Sequence, residues 1–160
     1  MPMTYSVTKR KAIYYIPIVI LTILLGQLHL FAADCPDYDF FFKEINPAKK
    51  SWNDLYKIFK ESPQYCDDGA YGEGYSDFVV QSLAKHWDRF DELVLLTKKD
   101  RSFEDFILKH IDATTDLGDL ETLSKNARER CPASSVRFCA EINKKARAAI
   151  EDIRVYEKKE

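Results

Sequence analysis

An apolar segment near the amino terminus, and the cysteines that follow it, constrain this chain more than any other feature. Residues 9–11 are basic, residues 12–25 are mostly apolar, and Ala32-Ala33 provides the small residues at which a signal peptidase cuts. All four cysteines lie after this segment: Cys35, Cys66, Cys131 and Cys139. Because export and disulfide formation go together, we expect a periplasmic or secreted protein.

The same leader also allows a second interpretation. Residues 12–33 contain no Asp, Glu, Lys or Arg, and about 20 apolar residues can span a bilayer. Residues 1–33 are therefore predicted to be a signal peptide, with an uncleaved membrane anchor as the alternative. Residues 34–160 form a single domain in both cases, and the positive-inside rule places them on the outer side of the membrane.

The charge of the exported part excludes some partners. The leader holds three of the 24 Lys and Arg residues and none of the 26 Asp and Glu residues, so the remainder has a net charge of −5. Binding to nucleic acid or to an anionic membrane needs clustered basic residues. We therefore expect no nucleic-acid partner, contact with a membrane only through an uncleaved leader, and another protein as the partner.

Apolar residues recur at helical spacing in six segments after the leader, and no segment shows the alternation of a strand. The predicted helices begin near Asn46, at the Tyr71 stripe, near Phe90, at Ser102, at Thr115-Asp116 and at Ser134 or Ser135. The predicted fold is all-α, a compact bundle or short helical-hairpin stack of about six helices stapled by disulfides.

The spacing of the cysteines favours two disulfides. Four cysteines allow three pairings, and we favour Cys35–Cys66 with Cys131–Cys139, which leaves the crossed pairings as alternatives. A zinc site would require close pairs such as C-x₂₋₄-C, which the chain lacks. No metal and no cofactor is predicted.

The segment 65–77 is the candidate binding site because it combines carboxylates, tyrosines and glycines. An acidic, aromatic loop could dock a cationic or sugar-like ligand. The alternative is structural, since Asp67 or Asp68 can cap a helix there. The candidate binding residues are Asp67, Asp68, Tyr71, Glu73, Tyr75 and Asp77.

No arrangement typical of catalysis is present, and no catalytic residue is predicted. His86 and His110 both lie on helical stripes beside apolar residues, where a histidine is usually a core-edge residue with a hydrogen-bond partner. Residues 112–119 resemble a calcium loop only faintly and are better explained as a capping turn. The basic runs 128–130 and 144–147 have acidic neighbours and are predicted to form solvated helix faces.

Four short segments carry a resemblance to known proteins: CDDGA (66–70), EGYSD (73–77), HIDAT (110–114) and RCP (130–132). With these segments the chain resembles a group of small exported all-helical bacterial proteins of unassigned function. Its predicted architecture is also similar to that of periplasmic immunity proteins, which block toxins delivered by secretion systems. That likeness implies an inhibitory role and assigns no residues.

Together these features predict an exported, non-enzymatic binding or inhibitory protein of the immunity type, acting in the periplasm or outside the cell. One alternative is a cell-wall hydrolase that uses carboxylates of the loop 65–77. Another alternative is a structural subunit of an envelope complex.

Overall fold

A computed structural model describes residues 50–159, together with Cys35, Lys43, Ile45 and Asn46. The predicted leader lies outside the described residues. Residues Cys35–Glu160 form one compact unit. Among the described residues there are six α-helices and no strand, as predicted; they are α1 (Trp52–Glu61), α2 (Gly69–Lys85), α3 (Phe90–Lys99), α4 (Arg101–Lys109), α5 (Leu117–Glu129) and α6 (Val136–Glu157). None of these helices is long and apolar enough to cross a membrane.

The helices pack around a single core of aromatic and aliphatic side chains. Helix α5 lies along both α6 and α2, while α3 packs against α1 and α4. The largest side chains that are fully buried come from all six helices, and include Trp52, Phe78, Phe90, Phe103, Leu120 and Ile142. The apolar stripes of the sequence are therefore the faces that meet in the core.

Local capping determines where the helices begin, and two predicted starts were wrong. Helix α1 begins at Trp52 instead of near Asn46, because Ser51 and Asp54 form a reciprocal capping box. Helix α4 begins at Arg101 because the Asp100 side chain accepts a hydrogen bond from the Ser102 N–H, so Ser102 is inside the helix.

The other caps agree with the sequence. Asp68 caps α2, and Asp116 caps α5 by accepting from the Asp119 N–H at 2.9 Å. Ser135 occupies the N-cap position of α6, although its side chain makes no capping hydrogen bond. Pro63 follows the end of α1.

The two predicted disulfides are confirmed. Cys35 is bonded to Cys66, which lies just before α2, and Cys131 is bonded to Cys139 in the first turn of α6. The first bridge attaches Cys35 close to the start of α2. The second holds the connection between α5 and α6, so both bridges fix the entry to a long helix.

Buried polar side chains fix the helix ends relative to one another. The amide of Asn126 on α5 donates to the carbonyl oxygens of Leu83 and Ala84, which would otherwise lack partners at the end of α2. The indole of Trp87 donates to the Arg130 carbonyl at 3.1 Å. These contacts hold α2 firmly against α5 and so position the start of α2 described below.

Candidate functional site

A shallow depression of about 310 Å³ lies where the start of α2 meets the end of α4 and the loop that follows α4. Its ionisable lining residues are Asp67, Asp68, Glu73, Lys109, His110 and Asp112. Three of the six residues predicted to bind a partner are therefore brought together here, namely Asp67, Asp68 and Glu73.

The start of α2 has this shape because of Asp68 and Gly69. The Asp68 backbone is extended, and its carboxylate accepts from the Gly69 N–H at 2.7 Å. Gly69 then has a φ of +53°, a conformation that residues with a Cβ rarely adopt. The predicted structural role of Asp68 as a helix cap is confirmed, and its exposed carboxylate still lines the depression.

Asp67 joins the two helices that border the depression. Its Oδ2 atom lies 2.7 Å from Nζ of Lys109, and its Oδ1 atom lies 2.9 Å from Nε2 of His110. The second contact is an ion pair only when His110 is protonated, and neither of its two atoms has an aligned hydrogen-bond partner in the described structure. Asp67 therefore holds the end of α4 mainly through Lys109, whose Nζ donates to Oδ2 of Asp67 and, at 3.2 Å, to the Asp67 carbonyl oxygen.

Beneath the surface, His110 belongs to a buried polar chain. Only 2% of His110 and 1% of Ser76 is exposed. The Ser76 Oγ donates to Oδ2 of Asp112 at 2.8 Å and lies 3.1 Å from Nδ1 of His110. Because a hydroxyl has a single hydrogen, His110 Nδ1 must be the donor to Ser76.

The surroundings of His110 and Asp112 explain the shifts in the pKa values of these two residues. Burial lowers the pKa of His110, and the Asp67 carboxylate opposes that shift without reversing it. Burial raises the pKa of Asp112, but hydrogen bonds from Thr114 and Ser76 outweigh this effect and leave the pKa below its ordinary value. Asp112 is thus held as a carboxylate.

These residue types could suggest a nucleophilic serine, but the geometry does not support one. Ser76 is buried, and its hydrogen points to Asp112 and not to His110. A nucleophile needs a base that accepts its proton and needs contact with the substrate. The chain of Ser76, His110 and Asp112 therefore acts as the support for the depression.

Carboxylates continue from the depression along α2 toward α5. The Asp77 side chain is exposed overall, but its pKa is raised, first by partial burial of the carboxyl group and then by the negative charges of Asp119, Glu73 and Asp112. Lys85, at 2.8 Å from Asp119, offsets part of this charge. We call the group Asp68, Glu73, Asp77, Asp112 and Asp119 the acidic surface.

The two predicted tyrosines are placed differently from the carboxylates. Tyr71 is partly buried against the core. Only 2% of Tyr75 is exposed. Its ring packs edge-on against Phe106, with centroids 5.1 Å apart, and in a tilted arrangement against His110, with centroids 5.4 Å apart. Tyr75 therefore supports the depression from below and does not line it.

Asp77, the remaining predicted binding residue, is exposed one turn after Glu73 on α2.

Four residues of the site were not predicted from the sequence to belong to it: Ser76, Lys109, His110 and Asp112. His110 was expected at the core edge with a hydrogen-bond partner, and the structure confirms that expectation. Asp112 was assigned to a capping turn, and its carboxylate does accept from the Thr114 N–H. The sequence did contain one indication of this site. His110 and Asp112 both lie in the segment 110–114, one of the segments that carry the resemblance, and it meets the segments 66–70 and 73–77 at the depression.

In the part of the chain that the structure describes, no three His, Cys, Asp or Glu side chains are grouped so that they could hold a metal ion. No family model, curated protein or solved structure matches this chain. Function is therefore inferred from the chemistry of the site itself.

Proposed function

We propose that this protein is an exported, non-enzymatic binding protein that captures a cationic segment of another protein on the acidic surface and thereby inhibits that partner. The observation that carries this proposal is a set of exposed carboxylates without cations. Within the described residues, Asp68, Glu73 and Asp77 form no ion pair, whereas Asp67 and Asp119 do.

A cationic partner would relieve repulsion that the free protein retains. Burial raises the pKa of Asp77 most, and the negative charges of Asp119, Glu73 and Asp112 raise it further, so these neighbours disfavour the ionisation of Asp77. A Lys or Arg side chain placed among them would remove that penalty. Complementary charge of this kind raises the association rate and the specificity of protein partners.

A second observation separates this surface from ordinary solvated charge. Beneath it lie two buried atoms without an aligned hydrogen-bond partner, Nε2 of His110 and Oδ1 of Asp67. Buried polar groups are normally satisfied, so this exception needs an explanation, and a cation bound beside Asp67 would supply one. Export and action in the periplasm or outside the cell are supported by the two disulfides.

The binding test uses the purified product of the full-length gene and an N-acetylated tetra-arginine peptide as the cationic probe. We expect amide chemical-shift changes confined to residues 67–77 and 109–119. The double variant Glu73→Gln/Asp77→Asn should weaken binding by roughly tenfold or more, the effect of losing two close charges. The matched control Glu129→Gln/Glu157→Gln removes two exposed carboxylates elsewhere and should bind like the wild type.

Partner capture provides the second test. A photo-crosslinking residue in place of the exposed Ala113, which lies between two lining residues of the depression, should trap an envelope protein in a Gram-negative host, and the trapped protein should lose its activity when mixed with this chain. Capture that is equal for the Glu73→Gln/Asp77→Asn variant and its control would contradict the proposal.

The hydrolase alternative is favoured by one observation, the raised pKa of Asp77, which is the direction that a general acid requires. Glu73 lies one turn earlier on the same helix and would be the second carboxylate. Cell-wall hydrolysis by the wild type that is lost in Glu73→Gln and in Asp77→Asn would favour this alternative. Hydrolysis that persists in both variants, or in Asp68→Ala/Glu73→Ala, would exclude it.

A further inference from the structure

A second depression, of about 640 Å³, follows the seam between α5 and α6, and it shares no lining residue with the acidic surface. Its size lies within the range of roughly 300–1,000 Å³ that is typical of ligand sites. We call it the basic groove. Ser124 and Arg128 line it from α5, and Asn143, Lys144 and Arg147 line it from α6.

The basic groove concentrates positive charge in a chain whose net charge is −2. Arg128, Lys144 and Arg147 are exposed, and none of them forms an ion pair with any residue that the structure describes. At the far end, Arg154 neutralises Glu121 at 2.6 Å. Glu151 also lines the groove, so cations remain in excess.

The exposure of Arg128, Lys144 and Arg147 agrees with the solvated helix faces expected from the basic runs of the sequence. Acidic residues three or four positions away on the same helix could still have neutralised them. Arg147 and Glu151 have that spacing, yet they form no such pair. The cations of the groove are therefore free to contact a ligand.

The floor of the groove offers hydrogen-bond donors. Ser124 is buried, and its hydroxyl donates to Oδ1 of Asn143 at 2.8 Å. This bond occupies the amide oxygen and directs the amide nitrogen away from Ser124, and that nitrogen donates to no described protein atom. The accessible polar groups of this end of the groove are thus cations and N–H donors, which is the lining that an oxyanion requires.

We propose that the basic groove binds a phosphorylated ligand. Guanidinium groups match phosphate oxygens with two parallel hydrogen bonds, and Lys144 adds a point charge beside them. Arg128 and Arg147 lie on different helices, so a ligand with more than one phosphate group satisfies both. The Asn143 amide fixes the orientation of the ligand at the floor.

The test uses the purified product of the full-length gene with inorganic tripolyphosphate as the probe, and citrate as an anionic probe without phosphate. We expect chemical-shift changes at 124–128 and 143–154, and clearly weaker binding of citrate. Arg128→Gln/Arg147→Gln should weaken tripolyphosphate binding by at least about tenfold, because two charge-assisted contacts are lost. The double variant Arg128→Lys/Arg147→Lys should lose part of the affinity. It keeps the positive charges but loses the planar guanidinium groups that donate two parallel hydrogen bonds.

The matched control is Lys57→Gln/Lys98→Gln, which removes two exposed cations outside the groove and should leave the affinity unchanged. Equal weakening in the control and in the groove variant, binding of citrate as tight as that of tripolyphosphate, or no binding at all would overturn the proposal.

Vesicles distinguish two sources of the phosphate. Groove-dependent binding to vesicles of phosphatidylcholine with phosphatidylglycerol, but not of phosphatidylcholine alone, would assign the phosphate to lipid headgroups. Binding of tripolyphosphate without any binding to vesicles would assign it to a soluble ligand.

Discussion

Oδ1 of Asp67 lies 2.9 Å from Nε2 of the buried His110, and this contact joins the residues on either side of the depression. The other oxygen of Asp67 contacts Lys109 at 2.7 Å. Both carboxylate oxygens of Asp67 therefore contact residues at the end of α4, whereas the carboxylate of the adjacent Asp68 only caps α2. The two neighbouring carboxylates thus have different roles: Asp67 stabilises the fold, and Asp68 remains available to a partner.

Replacing Asp67 tests this division. Asp67→Ala should lower the free energy of unfolding by about 1 kcal/mol, because Lys109 loses the carboxylate that accepts its hydrogen bond. Urea unfolding followed by circular dichroism measures this loss. The control is Asp105→Ala, which removes an exposed carboxylate whose contact with Arg101 spans 3.9 Å and should change stability by less than about 0.5 kcal/mol. Equal stability of the two variants would refute a structural role for Asp67.

Stability should depend on pH through His110. Its pKa in the folded chain is below the ordinary value of 6.5, so the unfolded chain binds the proton at higher pH. The contribution of neutral His110 is therefore fully present above pH 6.5 and declines as the pH falls below it, by at most about 1.4 kcal/mol per pH unit. Asp112, whose folded pKa is lowered, adds a further loss only below its ordinary value of 3.8.

The measurement is a series of urea unfolding curves between pH 7.5 and 5. The His110→Gln variant should be less stable at neutral pH, but its stability should change less over this interval. The control His86→Gln removes a histidine outside the polar chain and should retain the slope of the wild type. A slope that is identical in His110→Gln and the wild type would show that another group is responsible.

The helices could be predicted from the sequence because their apolar stripes are local patterns. The errors occurred where several cap residues compete. Asp100 caps α4 in preference to Ser102, and the same carboxylate accepts from Tyr56 at 3.1 Å and from Lys60 at 3.1 Å on α1. The hydrogen bond from the Ser102 side chain lowers the pKa of Asp100 most. The hydrogen bonds from Lys60 and Tyr56 add to this effect, and the pKa lies well below its ordinary range. A contact between α1 and the start of α4 therefore favours one local cap over another.

The candidate site was predicted only in part for a similar reason. The carboxylates of the segment 67–77 can be recognised from the sequence because they are close together in it. The residues that contact this segment across the depression come from the separate segment 109–114. The stripe on α2 includes Tyr75, and its packing against Phe106 and His110 depends on how α4 crosses α2. Long-range packing thus decides which side chains of the loop face a partner.

The two disulfides should contribute unequally to stability. The bonded cysteines are separated by 31 residues in Cys35–Cys66 and by 8 residues in Cys131–Cys139. Loop-closure entropy then gives about 3.7 kcal/mol for the first bridge and about 2.5 kcal/mol for the second. Urea unfolding of the two double-alanine variants, each purified from the full-length gene, measures the difference. A larger loss for Cys131→Ala/Cys139→Ala would show that unfolded-chain entropy does not control the ranking.

Two glycines at the start of α2 should respond in opposite directions to the same substitution. Gly69→Ala should lower the free energy of unfolding by about 1–2 kcal/mol, because a residue with a Cβ is strained at a φ of +53° even though the space around it is open. Gly72→Ala should raise stability by up to about 1 kcal/mol, since a Cβ there meets only ordinary contacts with the Asp67 backbone and alanine favours the helix. Thermal unfolding of the two variants side by side measures both effects, and the tetra-arginine titration then shows whether the depression keeps its shape. If both substitutions stabilised the protein, α2 would start without the left-handed residue, and the position of Asp68 at the edge of the depression would have to be revised.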